Sequence, residues 1–286
     1  ICLDAGLQEQ KLDRPVSIDV SRHPLPPRQV PDAQSVMRIA ALIRAAERPL
    51  FLFGRGSRDQ ADWNRRVALA EAAGARVLTS IRERSVFPTA HPLHIGGPFF
   101  WASEREKQAL READLIVSFD WVDLKGLLMQ ADRNVEALPA KLVHVSLDSH
   151  LHRGWSMDYF GLAPVDVPVQ ANADALVAAL LAELPGTDAT EFSPNPPSAY
   201  VASPGEEIAP QDIEIALQKL RGSRALTLAH VTIGWSGQVY DFAGPLDFLG
   251  GDGGAGLAAG PGLTIGAALA LKGQGRIVVG VLGDGD

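Results

Sequence analysis

Near-continuous apolar runs, set between stretches of helical periodicity, constrain this chain more than any other feature of its 286 residues. Runs such as LIVSF at 115–119 and LVHVSL at 142–147 leave little polar face for water. Their strands must be covered on both sides, as in parallel sheets layered between helices. The pattern predicts helix at 33–47, strand at 49–53, helix at 59–73 with Val67, Leu69 and Ala70 on one side, and strand at 76–79. It continues with helix at 104–112, strands at 114–119, 141–147 and 165–169, and helix at 172–184. After a break it resumes: helix 211–220, strand 225–229, helix near 235–242, strand 246–249, helix 263–272 and strand 276–282. The expected fold class is therefore α/β, with two doubly wound, Rossmann-like parallel-sheet domains, the second incomplete.

Two composition breaks divide the chain. Residues 14–20 predict a short strand, and 21–31, with Pro24, Pro26, Pro27 and Pro31, form a first linker that can continue neither helix nor central sheet. Residues 186–210, rich in proline, serine and small residues, predict an interdomain linker. The chain opens on Ile1 and stops at Gly283-Asp284-Gly285-Asp286 straight after an apolar run, so it is expected to be part of something longer. Its single cysteine, Cys2, allows neither an internal bridge nor a CxxC site. A net charge of -8 argues against a general nucleic-acid binder. No apolar run approaches the roughly 18 residues of a membrane span and the sequence does not open on a charged-then-apolar signal peptide, which makes a reducing cytoplasm the expected location.

The chemistry concentrates near the end. Gly250, Gly251, Gly253, Gly254, Gly256, Gly260, Gly262 and Gly266 are eight of 28 glycines. Each costs roughly 0.5–1 kcal/mol against alanine in regular structure, so such density implies positive φ or close approach of backbone to a ligand. A flexible linker is the alternative. Gly283-Asp284-Gly285-Asp286 follows a strand at its carboxyl end, where open α/β sheets bind ligands. Amides freed by the glycines can face a diphosphate, and the carboxylate between them can hold the hard cation that neutralises it; a plain turn is the other reading. Gly54-Arg55-Gly56 after a strand is either a tight strand-to-helix turn or a nucleotide- or flavin-binding turn, although no third glycine or later acidic residue completes the dinucleotide fingerprint. His91 and His94, and His150 and His152, are expected to be solvated or capping rather than metal-binding. Ser236 lacks the second glycine of a nucleophile elbow and suits a phosphate-binding turn or an N-cap. Trp121 and Trp155, near strand ends, are expected to be buried at a domain contact or to wall a substrate.

With these residues in view, the chain resembles the thiamine diphosphate-dependent enzymes of the acetolactate synthase-like group. Val279-Gly280-Val281-Leu282-Gly283-Asp284-Gly285-Asp286 resembles the opening of the family's GDG motif, and GLAAGPGLTIGAAL its glycine-rich segment. The resemblance implies a pyrimidine-binding domain tail at 1–22, a central domain at 32–185 and the first part of a diphosphate-binding domain at 211–286. It makes Asp284 an Mg²⁺ ligand, Gly283, Gly285 and Asp286 diphosphate contacts, Leu257 the apolar wedge under the cofactor and Gly256 a backbone contact. Gly234, Trp235 and Ser236 occupy a turn that touches the diphosphate in relatives, although tryptophan and serine depart from the family's residues there. It further implies a lyase or transferase that decarboxylates or carboligates 2-oxo acids, acting as a homodimer or homotetramer. FAD or another nucleotide in the central domain, or a purely scaffolding role, is the alternative. The activating glutamate belongs to the missing pyrimidine domain, so no catalytic residue is assigned, and this stretch alone is expected to be inactive.

Overall fold

The computed structural model describes residues 6, 9–11, 13, 14, 17–148, 161–184, 208–232, 235, 237, 239–251 and 259–285. Five strands, β1 (Pro49–Phe53), β2 (Arg76–Thr79), β3 (Leu115–Phe119), β4 (Lys141–Ser146) and β5 (Val167–Gln170), form one all-parallel sheet in the order β2-β1-β3-β4-β5. Every residue of β1 and β3 is buried, as their unbroken apolar character requires.

Alternate side chains then divide between two cores. Phe51 and Phe53 join Ile39 and Ile43 of α1 (Ala33–Ala45), Leu69 of α2 (Gln60–Ala73) and Leu176 and Leu180 of α5 (Ala173–Glu183). Leu50 and Leu52 face the opposite way, against Leu110 of α3 (Glu104–Glu112) and Leu127 and Leu128 of α4 (Leu124–Ala131). Helices on both faces make the sheet doubly wound, with its order reversing between β1 and β3. Local chemistry sets the helix ends. Asp32, Asp59 and Asn172 side chains accept first-turn amides of α1, α2 and α5, and Gly74, at φ 57°, ends α2 in the left-handed region.

One buried ion pair ties two of these helices. The Arg66 guanidinium in α2 binds the Asp174 carboxylate in α5, with side chains 2% and 4% exposed. Arg66 also donates to the Val86 carbonyl at 2.8 Å and to that of Ser57 at 3.2 Å, while the Ser57 amide donates to Asp174 at 2.7 Å.

A second parallel sheet pairs β6 (Ala225–His230) with β7 (Arg276–Gly280), flanked by α6 (Pro210–Arg221) and α7 (Ala259–Ala270). Asp247 pins it. Its carboxylate meets Arg276 at 2.7 Å and Arg221 at 3.1 Å, and accepts the Ala243 and Gly244 amides.

Several expectations need correction. No strand spans 14–20: the described residues there are irregular and lead into a 3-10 turn at Val20–Arg22, because the Asp19 carboxylate takes the Ser21 amide and hydroxyl and so competes with sheet pairing. No helix forms among the described residues of 235–242. Their amides are spent elsewhere, Val239 on Glu214, Asp241 on Gln218 and Phe242 on Thr89. The strand at 246–249 reduces to one parallel bridge, Phe248 to Leu228. Helix α7 starts four residues before the predicted 263, and α4 was not anticipated. The linker residues 185–207 lie outside the described residues.

The histidines also differ from expectation. His91 does bind locally, accepting the Leu93 amide at 3.2 Å, but His94 is fully buried. Its Nδ1 donates to the Gly96 carbonyl at 3.1 Å and its Nε2 accepts the Thr79 hydroxyl at 2.8 Å, a neutral ring with both nitrogens satisfied. Burial pulls its pKa down to about 4, only partly opposed by the Gly96 bond. As pH falls the unfolded chain therefore takes up this proton first. The His94 contribution is fully present above pH 6.5, and about 3 kcal/mol of it is lost on descending from 6.5 to 4. Urea midpoints measured across that window should fall less steeply in His94→Gln than in the wild type.

Candidate functional site

The described residues of the predicted site map to one edge of the second sheet. β6 ends at His230 and β7 at Gly280, and on the other flank of β6 the Leu228 amide donates to Asp247 and the Leu249 amide to Leu228. Three parallel stretches thus end side by side. From them emerge the turn after 230, the glycine-rich segment after 249 and the acidic turn after 280. The structure therefore places Trp235, Gly283, Asp284 and Gly285 at one carboxyl edge. Gly234, Ser236, Gly256, Leu257 and Asp286 lie outside the described residues.

Side chains at this edge divide sharply. Trp235 is buried with Leu226, Leu228, Tyr240, Phe242 and Phe248, so only its backbone can meet a ligand; its indole N–H and the Tyr240 hydroxyl have no hydrogen-bond partner among the described residues. Asp284 stands exposed in the turn between Gly283 and Gly285. Helix α7 crosses close to this strand, since a Cβ on Gly260 would overlap the Leu282 side chain and press on the His230 ring. A larger residue there would require the exposed Leu282 side chain to move. Among the described residues no group of three or more His, Cys, Asp or Glu can hold a metal. One exposed carboxylate flanked by glycines at a strand end nevertheless suits Mg²⁺, which typically takes one or two carboxylates and completes its shell with phosphate oxygens and water. The donor set fits Mg²⁺ with a diphosphate.

Sequence reasoning missed the seam that joins this edge to the first sheet. The segment after β2 runs along the second unit: Ser85 donates its amide to Phe248 and its hydroxyl to Gly244, Thr89 its amide to Phe242, and Gly251 returns its amide to Arg82. Gly250, at φ 101°, lies where a Cβ would overlap the Glu83 carbonyl. The glycine-rich segment is thus anchored at its first residue by the first sheet's domain. Beside the seam a cavity of about 30 Å³, lined by Ser80, Glu83, Phe99, Trp101 and Trp121 among others, holds the buried Glu83 carboxyl. Burial pushes that carboxyl up, against bonds from Ser80 and the Val122 amide, and its Oε2 has no partner.

The switch point of the first sheet is described only in part. In a sheet of this order a dinucleotide belongs at the switch point, above β1 and β3. There the Gly54 amide donates to Phe119 at 2.9 Å and the Arg55 amide to Asp120 at 3.1 Å. Asp120, at φ 59°, binds the Arg55 guanidinium at 2.9 Å and accepts the Ser146 hydroxyl at 2.6 Å. Among the described residues these groups bond one another, and Gly54-Arg55-Gly56 forms a tight turn. The neighbouring cavity has room for about two waters, against roughly 150 Å³ for a benzene.

A doubly wound parallel sheet, joined to a second sheet that gathers a glycine-rich segment and an acidic turn at one edge, defines a Rossmann-like protein whose ligand edge lies at its strand ends. The chain belongs to the thiamine pyrophosphate enzyme family: the family described as "Thiamine pyrophosphate enzyme, central domain" matches residues 36–180. It is 30% identical over 159 residues to sulfoacetaldehyde acetyltransferase of Rhodobacter capsulatus, covering 55% of this chain and 26% of that protein. It is 26% identical over 250 residues to acetolactate synthase of Mycobacterium avium, covering 81% and 39%. The fold is similar to benzoylformate decarboxylase from Polynucleobacter necessarius, with a TM-score of 0.68 at 20% identity, over 96% of this chain and 50% of that one. The chain spans half or less of the length of these relatives. No helix among the described residues is long and apolar enough to cross a membrane.

Proposed function

We propose that this chain is the central domain and the first part of the diphosphate-binding domain of an enzyme that uses thiamine diphosphate and Mg²⁺ to decarboxylate or carboligate 2-oxo acids. One observation supports the reading: the stretches that lead into the turn after β6, into the glycine-rich segment and into Gly283-Asp284-Gly285 end at one carboxyl edge. Asp284 would hold Mg²⁺, and backbone amides at Gly283, Gly285, Asp286 and the 234–236 turn would face the diphosphate. Gly256 would lie against the cofactor and Leu257 beneath it. When bound, the cofactor supplies a thiazolium ring that accepts the electron pair left as carbon dioxide departs. This chain's own residues would hold the cation that neutralises the diphosphate and fix the diphosphate's position through backbone amides. Residues 1–22 would be the tail of a pyrimidine-binding domain and 186–210 a linker, with the working protein a homodimer or homotetramer. The acetolactate synthase and sulfoacetaldehyde acetyltransferase relatives support this chemistry over the flavin-binding alternative.

Calorimetric titration of the full-length protein with thiamine diphosphate, with and without Mg²⁺, tests this reading. Saturable binding that requires Mg²⁺ is expected. Absence of binding by the folded protein would overturn it.

A further inference from the structure

His230 lies where β6 stops, and it does so at a fault in the ladder. β6 and β7 pair in register from Ala225 with Arg276 to Leu228 with Val279, then slip, so that His230 rather than Ala229 faces Gly280. Ordinary strand pairing ends at that point. Beyond it, one residue holds Val281 by both of its backbone groups: the His230 carbonyl accepts the Val281 amide at 3.0 Å, and the His230 ring stands with Nδ1 3.2 Å from the Val281 carbonyl. A carbonyl oxygen can only accept, so Nδ1 carries the proton in this contact. The ring thereby replaces a ladder bond that the slipped register has removed.

The same ring has a second neighbour. A Cβ on Gly260, in the first turn of α7, would come within 3.3 Å of His230 Cγ. Leu282, next to Val281, lies against the same face of that glycine. His230 therefore touches both the strand that leads into Gly283-Asp284-Gly285 and the helix that the glycine-rich segment leads into.

We infer that His230 is a positioning residue for the cofactor edge: its Nδ1–H, by holding the Val281 carbonyl, sets where the Asp284 turn leaves β7 relative to α7. This rests on the reading of Asp284 as the Mg²⁺ ligand. His230 needs to touch neither metal nor diphosphate, so it acts as outer groups of a metal site do, by fixing the direction of the ligand.

The test compares the full-length wild type with His230→Asn and His230→Leu, by calorimetric titration of Mg²⁺ in saturating thiamine diphosphate, alongside thermal melts. Asparagine keeps an N–H donor at about the distance of Nδ1 from the backbone, whereas leucine keeps bulk against Gly260 and donates nothing. His230→Leu should bind Mg²⁺ between about tenfold and 100-fold more weakly, the usual range for outer-shell changes. His230→Asn should return most of that loss. Leucine and wild type binding alike would overturn the inference, and so would asparagine failing as badly as leucine while still melting like the wild type, since the ring rather than its donated bond would then matter. If His230→Leu does not fold, the Asn variant against wild type decides, because a tenfold loss with an unchanged melt contradicts the donor role. A wild type that binds no Mg²⁺ with thiamine diphosphate instead overturns the site reading itself, and this inference with it.

Discussion

An Asp284→Ala protein is expected to bind thiamine diphosphate with Mg²⁺ at least about 100-fold more weakly than the wild type, while melting at the same temperature. Outer groups of metal sites typically cost 10–100-fold when removed, so a direct ligand should exceed them. Asp284 is the one carboxylate among the described residues of the turn and stands exposed between two glycines, which is why its loss should spare the fold. Titrations in Mg²⁺ and in its absence separate the outcomes. Equal weakening in both would mean that Asp284 acts on the diphosphate amides and not on the cation, and unchanged binding would remove Asp284 from the site.

The second large effect concerns the fold alone. Asp174→Ala leaves the Arg66 guanidinium in a region 2% exposed, holding two carbonyls but no counter-charge. Breaking a buried pair by removing one partner typically costs about 3–5 kcal/mol, mostly the penalty of the stranded charge. At the 2–4 °C per kcal/mol typical of chains near this size, the melting temperature should drop by about 10 °C. The double variant Arg66→Met with Asp174→Leu removes both charges and should recover most of that loss. A single variant that melts within a degree or two of the wild type would show that water reaches Arg66.

These contrasts mark what a sequence can and cannot display. The five strands of the first sheet were legible because both faces of β1 and β3 are buried, which leaves a run of apolar letters with no interruption. Helices α1, α2 and α5 were legible because Asp32, Asp59 and Asn172 cap them within three residues. Helix α4 was not, since it is short, contains Gly126 and is held by packing on Leu50 and Leu52. The expected helix at 235–242 contains Gly237 and, apart from Gln238, only weak helix formers, and its described amides find Glu214, Gln218 and Thr89, partners 23 to 153 positions away. At the candidate site the glycines and Asp284 stood out by type and spacing. His230 did not, because a polar residue closing the apolar run ALTLAH looks like any strand end. Its one signal was that position, next to the turn the resemblance singled out.

The seam between the two sheets bears on how such proteins recombine. Ser85, Thr89 and Arg82 reach the Phe242–Gly251 stretch through main-chain atoms as much as side chains, so the match depends on the path of both backbones. Exchanging residues 32–185 for the corresponding stretch of a relative would keep the recipient's 239–251 and discard its mate. The natural crossover unit is therefore discontinuous: a graft that carries both halves of the seam transfers an intact joint, whereas a cut in the linker at 186–210, though clean along the chain, divides that joint in space.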